Sequence, residues 1–434
     1  MSAPLRLAIA QFQPRKGSYP GSMARIRDLF GQVAGLTPRP SVVVFPETAT
    51  SGYFVEGGVE DVAVTAGQLA NDLDAAWRAA GSGSIDVIIG FYERWEHTLH
   101  NSAAYVRLGE TKGGEIVHVH RKMFLPTYGL FDEHRFVEPG LDVRAFDAPW
   151  GRLAVLICED AWHSLTGTIA ALDGAQMVFV ISAAPARGLQ PGDNAAGAHV
   201  PGTIARWERL IRDIAEEHGV FGILCGLVGS EGGKAFQGGS LVVGPHGDVR
   251  ARAPVMSEAL LVADIDLSDL GRARADAPML ADLRAQLPNL ERELARTRAN
   301  TRGSPPRFDT AERPVPQHAK SNGSGDGTTG IPVVTVPPAS PPSLAIDGTL
   351  TEDWLVRFIR DEFSRRGFAD AVVGLSGGVD SAVAAALAVR ALGAAHVHAI
   401  GMPYRTSSAE SLAHAREVAT SLGIDLRVLD ISAA

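Results

Sequence analysis

The stretch Leu153-Ala-Val-Leu-Ile-Cys-Glu-Asp160 carries a strong local signal for the fold. Its run of five apolar residues predicts a buried strand, and the acidic residues that follow mark the end of that strand. Cys158 therefore lies at the carboxyl end of the strand, where ligand sites gather in sheets with parallel neighbours. A lone cysteine is also commonly a small buried hydrophobic residue, so a reactive role for Cys158 needs further support.

Two other reactive side chains occupy the same position in other predicted strands. Glu47 follows Val42-Val-Val-Phe-Pro46, and Lys122 follows Ile116-Val-His-Val-His-Arg121. Taken singly, the two residues are an ordinary turn carboxylate and an ordinary surface cation. Three such placements can converge on one pocket, where the cation favours the thiolate and the carboxylate shuttles its proton. The combination predicts a cysteine-based catalytic centre.

The first 263 residues are typical of a large α/β domain. Short β-rich runs such as Ser41–Phe45 recur, and segments of helical periodicity such as Thr203–His218 lie between several of them. Gly239–Arg250 predicts a hairpin that turns at Pro245–Asp248. Leu280–Arg298 is dense in Leu, Glu and Arg with helical spacing, and it predicts a helical arm outside the core.

Length and composition exclude several classes of protein. The chain has 434 residues, of which 45% are hydrophobic and 21% charged, as in a folded protein of two or three domains. Its net charge of −9, without Lys/Arg runs, argues against binding to nucleic acid or an anionic membrane. Only Cys158 and Cys225 are cysteines, so a disulfide framework and a zinc site are not expected. Neither a signal peptide nor a membrane span is evident, which predicts a cytoplasmic protein.

The composition changes abruptly after Arg302. Residues 303–342 are rich in Pro, Ser, Gly and Thr, which predicts a flexible linker. Helical periodicity returns at Thr351–Arg366, and the strand Ala371–Leu375 follows. From there, helices alternate with the strands His396–Met402 and Asp425–Ile431, so residues 343–434 predict the first part of a doubly wound parallel sheet.

A glycine turn, Ser376-Gly-Gly-Val-Asp-Ser381, lies between that first strand and a helix. In such a turn, free backbone N–H groups and the helix N-terminus face an anion. No Gly-Lys-Ser/Thr follows and no GxGxxG pattern is present, so this is neither a mononucleotide P-loop nor a dinucleotide turn. The alternative is a merely tight turn between strand and helix.

The turn resembles the pyrophosphate loop of the ATP pyrophosphatases, which have the adenine nucleotide alpha hydrolase fold. The segments Val373–Ser381 and Gly401-Met-Pro-Tyr-Arg-Thr-Ser-Ser408 are more similar to NAD synthetases than to other members of that group. The resemblance implies binding of ATP with Mg²⁺, and Asp380 as the metal ligand. The implied ATP-binding residues are Gly374, Leu375, Ser376, Gly377, Gly378, Val379, Asp380, Ser381 and, beside the adenine, Met402.

The larger region resembles the nitrilase (carbon–nitrogen hydrolase) superfamily. Phe45-Pro-Glu-Thr48, His120–Pro126 and Leu156-Ile-Cys-Glu-Asp160 match its Glu-Lys-Cys motifs in order and spacing. The resemblance implies an α-β-β-α sandwich over residues 1–270. The helical arm predicted from the spacing then takes up residues 271–302. The implied roles are Cys158 as the nucleophile that forms a thioester, Glu47 as general base and acid, Lys122 as the oxyanion stabiliser, and Glu133 as a brace for the lysine.

One motif departs from the family pattern. Related glutaminases usually carry Asn-Ala-Ser-Pro, whose serine helps to hold the α-amino acid group of glutamine, whereas this chain has Ser182-Ala-Ala-Pro185. Ser182 or Arg187 could substitute for that serine, but a plain structural loop is equally expected. Tyr128 is the better candidate for a residue that contacts glutamine.

A nitrilase-like domain fused ahead of this loop is the architecture of glutamine-dependent NAD synthetases. It predicts that ammonia from glutamine amidates ATP-activated deamido-NAD, in a homo-oligomer. Since a complete synthetase domain needs more strands after Ile431, we expect a shortened chain with little NAD formation. The alternatives are an amidase or nitrilase of other specificity, and a C-terminal segment that binds nucleotide without catalysis or only oligomerises.

Overall fold

The computed structural model describes residues 5–81, 83–129, 131–191, 199–300, 348–405 and 408–432. Its α-helices in chain order are α1 (Tyr19–Ala34), α2 (Val59–Val62), α3 (Ala66–Ala80), α4 (Ser164–Leu172), α5 (Gly202–His218), α6 (Ser268–Asp276), α7 (Met279–Asn300), α8 (Gly348–Arg366), α9 (Val379–Leu392) and α10 (Ala409–Leu422). Its strands are β1 (Leu5–Gln11), β2 (Val42–Val44), β3 (Ile85–Trp95), β4 (Thr98–Leu108), β5 (Glu115–Arg121), β6 (Ala145–Ala148), β7 (Gly151–Ile157), β8 (Met177–Ser182), β9 (Leu189–Pro191), β10 (His199–Pro201), β11 (Phe221–Gly226), β12 (Val228–Glu231), β13 (Lys234–Gln237), β14 (Leu241–Val243), β15 (Val249–Arg252), β16 (Ala259–Ile265), β17 (Ala371–Gly374), β18 (Val397–Gly401) and β19 (Leu426–Val428).

Two six-stranded sheets form the centre of the larger domain. The first has the strand order β16-β1-β2-β3-β4-β5 and the second the order β15-β14-β11-β8-β7-β6. Strands β1, β2 and β3 run parallel to one another, as do β7, β8 and β11. Because parallel neighbours bring the carboxyl ends of their strands to one edge, each sheet can present several residues at the same rim.

Alternation along the strands builds three apolar layers. On β1, Leu7 and Ile9 face the core between the two sheets, whereas Ala8 and Ala10 face the layer that contains α1 and α3. Both faces are buried, so the small residues on the outer face allow the helices to approach the sheet. On the other side, Trp207 of α5 packs against the outer face of the second sheet. The predicted α-β-β-α sandwich is confirmed.

The C-terminal segment contains a three-stranded parallel sheet in the order β17-β18-β19. Small residues such as Ala385 of α9 and Ala415 of α10 are buried against it. This confirms the predicted start of a doubly wound sheet. Strand β19 is shorter than the predicted Asp425–Ile431, since only Leu426–Val428 pair with β18.

The hairpin predicted to turn at Pro245–Asp248 is present between β14 and β15. The chain divides into two compact units, Met1–Leu280 together with Asp347–Ala434, and Ala281–Ile346. Most of α7 belongs to the second unit, and the predicted linker 303–342 lies outside the described residues. Among the described helices, none is long and apolar enough to cross a membrane.

Candidate active site

Three strand ends bring the predicted catalytic residues together. Glu47 follows β2, Lys122 follows β5 and Cys158 follows β7. Lys122 Nζ lies 2.8 Å from Glu47 Oε1, although the two residues are 75 positions apart in the sequence. The expected convergence at the sheet rims is therefore observed for the acid and the lysine. Cys158 is close enough for the charges of both to affect its pKa.

The lysine is held between two buried carboxylates. Lys122 Nζ donates to Glu47 Oε1 at 2.8 Å and to Glu133 Oε2 at 2.7 Å, and all three residues are at most 7% exposed. Asn101 Nδ2 contacts both carboxylates, at 2.8 Å for Glu47 and 2.5 Å for Glu133. The hydroxyl of Tyr53 donates to Glu133 Oε2 at 3.2 Å. A charge buried in this way requires its partners, so the cluster acts as one unit.

The electrostatics of the cluster keep the lysine charged. Burial opposes the charge, but Glu133 and Glu47 outweigh it and raise the pKa of Lys122 well above its usual value. Burial raises the pKa of Glu133, while Lys122 lowers it in part. The centre therefore offers a permanent cation in a water-poor environment, where it stabilises a developing oxyanion most strongly.

The expectation that the thiolate of Cys158 is favoured is wrong for the free protein. Burial, and then the charge of Glu47, raise the pKa of Cys158 well above its usual value, and Lys122 offsets only part of this. The cysteine is consequently a protonated thiol that needs a base before it can attack. Glu47 is the carboxylate with the largest charge effect on the thiol, which makes it the candidate for that base.

The backbone presents the cysteine in an unusual conformation. Cys158 has a φ of +46°, which L-residues other than Asn and Asp rarely adopt, and it starts a short 3-10 turn that ends at Trp162. The hydroxyl of Ser182, the last residue of β8, donates to Cys158 Sγ at 3.3 Å. The next residue, Ala183, donates its N–H to Glu47 Oε2 at 2.6 Å. The end of β8 thus contacts both Cys158 and Glu47.

A glycine on a neighbouring strand makes room for the base. A Cβ at Gly90 of β3 would lie 2.6 Å from the Cα of Glu47, a separation that real side chains do not show. The N–H of Gly90 also donates to Pro46 O at 3.2 Å. The turn that carries Glu47 therefore lies directly against the backbone of β3.

A cavity of about 520 Å³ opens beside the nucleophile. Its lining residues include Tyr128, Phe131, Cys158, Glu159, Trp162, Ala184, Pro185, Arg187, Gly188, Gly202, Thr203, Ala205, Arg206, Trp207 and Arg209. Tyr128 donates its hydroxyl to Glu159 Oε2 at 2.8 Å, and the guanidinium of Arg187 lies 5.2 Å from the ring of Phe131. The structure thus places Tyr128 and Arg187 at the cavity that Cys158 faces. Ser182 is buried and is not among the lining residues.

Sequence reasoning missed three contributors to the cluster. Asn101 lies within β4 and Tyr53 within a loop, with no pattern that separates them from other polar and aromatic residues. Ala183 contributes through its backbone, which no side-chain pattern reveals. Ala183 could have been found from its position directly after the buried strand β8, because Glu47 and Cys158 were found from the same position at the end of a strand.

The nucleotide-type loop is built from its own hydroxyl and amide groups. Ser376 N donates to Ser381 Oγ at 3.1 Å, and the two serine hydroxyls lie 3.0 Å apart. Gly378 occupies the N-cap of α9 and has no side chain to accept from the first turn, so the positive helix end is available to an anion. Asp380 lies in that first turn and is exposed.

Two residues around the loop have defined neighbours. Gly377 has a φ of +81°, and a Cβ there would lie 2.1 Å from Ser411 O of α10, so only glycine fits. Met402 is 53% exposed, and a Cβ at Gly374 would lie 3.6 Å from its Cε. The predicted ATP-binding residues Leu375 and Val379 flank the turn, with Leu375 buried and Val379 exposed. The structure brings the predicted loop residues and Met402 into one region.

A thiol, a carboxylate and a buried lysine at the rims of an α-β-β-α sandwich define the class of cysteine-dependent hydrolases that cleave carbon–nitrogen bonds. Residues 6–275 match the carbon-nitrogen hydrolase family model, which is more than half of the sequence. The chain belongs to the carbon-nitrogen hydrolase family. Residues 352–434 match the NAD synthase family model. Both predicted resemblances are confirmed.

Known proteins share this arrangement. A glutamine-dependent NAD(+) synthetase of Thermotoga maritima is 27% identical over 434 residues, covering 99% of this chain and 65% of that protein. An NH(3)-dependent NAD(+) synthetase of Chlorobaculum tepidum is 50% identical over 92 residues, covering 21% of this chain and 33% of that protein. The structure of a glutamine-dependent NAD+ synthetase from Acinetobacter baumannii with ADP has the same fold, with a TM-score of 0.67 and 23% identity over 99% of this chain and 65% of that one. The chain thus spans slightly less than two thirds of the length of such relatives.

Proposed function

We propose that the hydrolase domain releases ammonia from the side-chain amide of glutamine. We further propose that the NAD synthase segment takes part in using that ammonia to amidate adenylated deamido-NAD, with NAD, AMP and pyrophosphate as products. The observation that carries the proposal is the buried cluster of Glu47, Lys122 and Glu133 beside Cys158, in the same chain as the Ser376–Ser381 loop. The names of the relatives support the same pairing of activities.

The first half of the hydrolysis follows from the charges in the site. Glu47 accepts the proton of Cys158 as Sγ attacks the amide carbon, and the carbonyl oxygen becomes an oxyanion. Lys122 is charged and fixed beside Glu47, so it stabilises that oxyanion. When the tetrahedral intermediate collapses, Glu47 gives the proton to the leaving nitrogen. Ammonia departs and an acyl thioester remains on Cys158.

The second half returns the enzyme to its starting state. Glu47, again a carboxylate, takes a proton from water as the water oxygen attacks the thioester. The second tetrahedral intermediate collapses, the thiolate of Cys158 leaves and is reprotonated by Glu47, and the free carboxylic acid departs. Glu47 can serve in both halves because Ala183 N and Asn101 Nδ2 keep its carboxylate in one orientation.

The cavity suits the charged end of an amino acid. Glu159 lines it with the hydroxyl of Tyr128 at 2.8 Å, and together they would receive an α-ammonium group. Arg187 offers a guanidinium for the α-carboxylate. Ser182 contacts the nucleophile instead, so we assign it to orienting Cys158 rather than to the substrate.

The loop at the start of α9 fits the phosphates of ATP. Backbone N–H groups of the turn, the hydroxyls of Ser376 and Ser381, and the positive end of α9 are suited to a polyanion. Mg²⁺ prefers oxygen ligands and is commonly held by one or two carboxylates together with substrate phosphates. Asp380 fits that role, and the ion would neutralise phosphate charge during adenylation.

One observation favours a second candidate, an amidase of different specificity. Ser182 does not line the cavity, and Ser182-Ala-Ala-Pro185, followed by Ala186-Arg-Gly188, stands where related glutaminases carry Asn-Ala-Ser-Pro. An amide without an α-amino acid group would then be accepted as well as glutamine.

A substrate profile tests the proposal. The chain is incubated with glutamine, with simple aliphatic amides and with nitriles, and ammonia is measured with Cys158→Ala as the blank. We expect kcat/KM for glutamine to exceed that for an amide of equal length without the α-amino and α-carboxylate groups by about tenfold or more, the value of one lost charged contact. Equal rates for the two amides would favour the second candidate, an amidase of different specificity. If no substrate released ammonia, the hydrolase assignment would be wrong.

Binding of ATP is measured separately. The ATP affinity of the chain with and without Mg²⁺ is determined by calorimetry, with Asp380→Asn as the variant. Weaker binding that no longer responds to Mg²⁺ in the variant supports the assignment of Asp380. An unchanged response to Mg²⁺ contradicts it.

A further inference from the structure

One fully buried carboxylate of the hydrolase centre has no part in the reaction steps. Asp160 is 0% exposed and lies two residues after the nucleophile. Its oxygens accept four hydrogen bonds, from the backbone N–H groups of Met123 (3.0 Å), Phe124 (2.9 Å) and Ile157 (3.1 Å) and from His120 Nε2 (2.8 Å). Each of the two carboxylate oxygens thus has two hydrogen-bond partners, which holds the group in one orientation.

The donors come from the two segments that carry catalytic groups. Ile157 directly precedes the nucleophile, whereas Met123 and Phe124 directly follow Lys122. Oδ1 accepts from Met123 and Phe124 of the lysine segment, whereas Oδ2 accepts from Ile157 of the cysteine segment and from His120, which precedes Lys122 by two residues. The carboxylate therefore bridges the two segments. Because the carboxylate is planar and rigid, its contacts restrain the separation of the two backbones.

The cysteine segment needs such a restraint. Cys158 is held at a φ of +46°, a strained conformation that persists only when its surroundings enforce it. Asp160 anchors the N–H on one side of Cys158, and its own carbonyl accepts the hydroxyl of Thr166 at 2.6 Å on the other. The turn is thus fastened before and after the nucleophile.

We propose that Asp160, oriented by His120, is a positioning residue that sets the distance between the Cys158 thiol and the Lys122 cation. Asp160 contacts neither substrate nor reacting atoms and acts through the backbone of both segments. The kinetic test of this inference rests on the proposed hydrolysis at Cys158. The second test does not, because alkylation reports on the thiol directly.

The substitution Asp160→Asn tests the bridge with almost no change in volume. One amide oxygen can still accept from Met123 and Phe124, but the NH₂ group then faces the N–H of Ile157 and the ring N–H of His120. One of these facing donors lies on the cysteine segment and the other on the lysine segment, so the bridge is broken at Oδ2 and the separation of the two segments changes. A displacement of about 1 Å at a catalytic group costs on the order of 100-fold in rate.

A matched control lies elsewhere in the same domain. Asp74 of α3 is also buried, accepts from the backbone N–H groups of Gly109 and Gly113 at 2.9 Å, and pairs with Arg78. Its replacement by Asn removes a comparable structural carboxylate without touching a segment that carries a catalytic group. Both variants are expected to lower the Tm, but only Asp160→Asn should alter the chemistry of Cys158.

Two readouts separate positioning from stability. In Asp160→Asn, kcat for glutamine hydrolysis should fall by about 10- to 100-fold with a smaller change in KM. The rate of alkylation of Cys158 by iodoacetamide at pH 7 should rise instead, because a thiol displaced from Glu47 and from its buried position regains an ordinary pKa. Asp74→Asn should leave both rates within about twofold at a temperature where it is folded.

The outcomes discriminate clearly. If Asp160→Asn changes kcat and alkylation no more than Asp74→Asn, Asp160 is only structural and the proposal fails. If the wild-type chain hydrolyses no amide, the alkylation profile still tests the bridge, and the failure belongs to the proposed function alone. Should Asp160→Asn not fold, His120→Leu and His120→Gln replace it, since glutamine can restore the single donor. The proposal then requires altered alkylation in the leucine variant and recovery in the glutamine variant.

Discussion

The hydrolase centre and the loop at Ser376–Ser381 differ in how their charged groups are buried and paired. In the hydrolase centre, Glu47 and Lys122 are at most 1% exposed and neutralise each other before any substrate arrives. In the loop, Ser376 and Asp380 are exposed, and the serine hydroxyls bond to each other. The hydrolase centre contains paired charges of both signs without a ligand. The loop is suited to a ligand that carries negative charge.

The difference follows from the substrates that we propose. The side-chain amide of glutamine, where the proposed reaction takes place, is uncharged, so the protein must supply a fixed cation and base there, away from water. A nucleoside triphosphate is a polyanion that keeps most of its charge hydrated, and an open helix end suits it better than a sealed pocket. Substitutions should therefore damage chemistry and stability together in the first site, and ligand affinity alone in the second.

The largest effect is expected from Cys158→Ala. Removal of the nucleophile should lower amide hydrolysis by about 10⁴-fold or more, since no other group replaces the thiol. ATP affinity should be unchanged. Ammonia release and calorimetry measure the two quantities, and Cys225→Ala, at a buried cysteine of the core, serves as control. Comparable losses in the two variants would mean that Cys158 is not the nucleophile.

Lys122→Met should be the most destabilising change in the cluster. It leaves two buried carboxylates without their cation, which costs about 3 to 5 kcal/mol of unfolding free energy. Hydrolysis should fall by about 100- to 1,000-fold, as on loss of one oxyanion donor. Chemical denaturation and ammonia release are the measurements. Lys234→Met, at the half-buried lysine over the ring of Phe54, should change unfolding free energy and hydrolysis only slightly. A similar loss of stability in this variant would mean that the buried ion pairs of Lys122 are not the cause.

Gly377→Ala should affect only the nucleotide site. Its methyl group would collide with Ser411 O, and the expected strain of about 1 to 3 kcal/mol corresponds to a roughly 5- to 150-fold loss of ATP affinity. Amide hydrolysis should be unaffected. Gly393→Ala is the control, because Gly393 has a similar φ of +90° but no atom within 4 Å of the added methyl. Equal loss of affinity in both would assign the effect to backbone strain rather than to the collision.

The smallest effect is expected from Tyr53→Phe. The hydroxyl of Tyr53 donates to Glu133, and loss of a hydrogen bond to a charged group costs about 1.5 to 3 kcal/mol, shared here between stability and kcat. Tyr92→Phe removes a hydroxyl that donates to the backbone oxygen of Tyr53 instead. We expect a several-fold lower kcat only in Tyr53→Phe. A larger fall in kcat for Tyr92→Phe would show that the position of the loop matters more than the charge of Glu133.

Sequence patterns predicted the convergence of Glu47, Lys122 and Cys158 because the ends of buried strands can be located from apolar runs in the sequence. Continuous apolar runs located β2, β7 and β8, and the reactive residue after the first two lies where expected. The contacts of Asn101 with Glu47 and Glu133 were not predictable, since they depend on the register between β3, β4 and β5 rather than on any local pattern.

The protonation state of Cys158 was mispredicted for a physical reason. Proximity to Lys122 suggested a thiolate, but burial and the charge of Glu47 outweigh the lysine, and both depend on three-dimensional packing. The roles of the glutamine-binding and ATP-binding residues, homo-oligomerisation and a cytoplasmic location stay predictions.

The glycine at position 90 sets a limit on how this enzyme can be altered. Because a single added carbon there would overlap the Cα of Glu47, no side chain is compatible with the present course of the catalytic turn. A library randomised at position 90 and selected for activity should return glycine alone, whereas one selected for solubility should also return variants in which the turn has shifted. The position of the carboxylate to which we assign proton transfer thus depends on the absence of a single carbon atom from the adjacent strand.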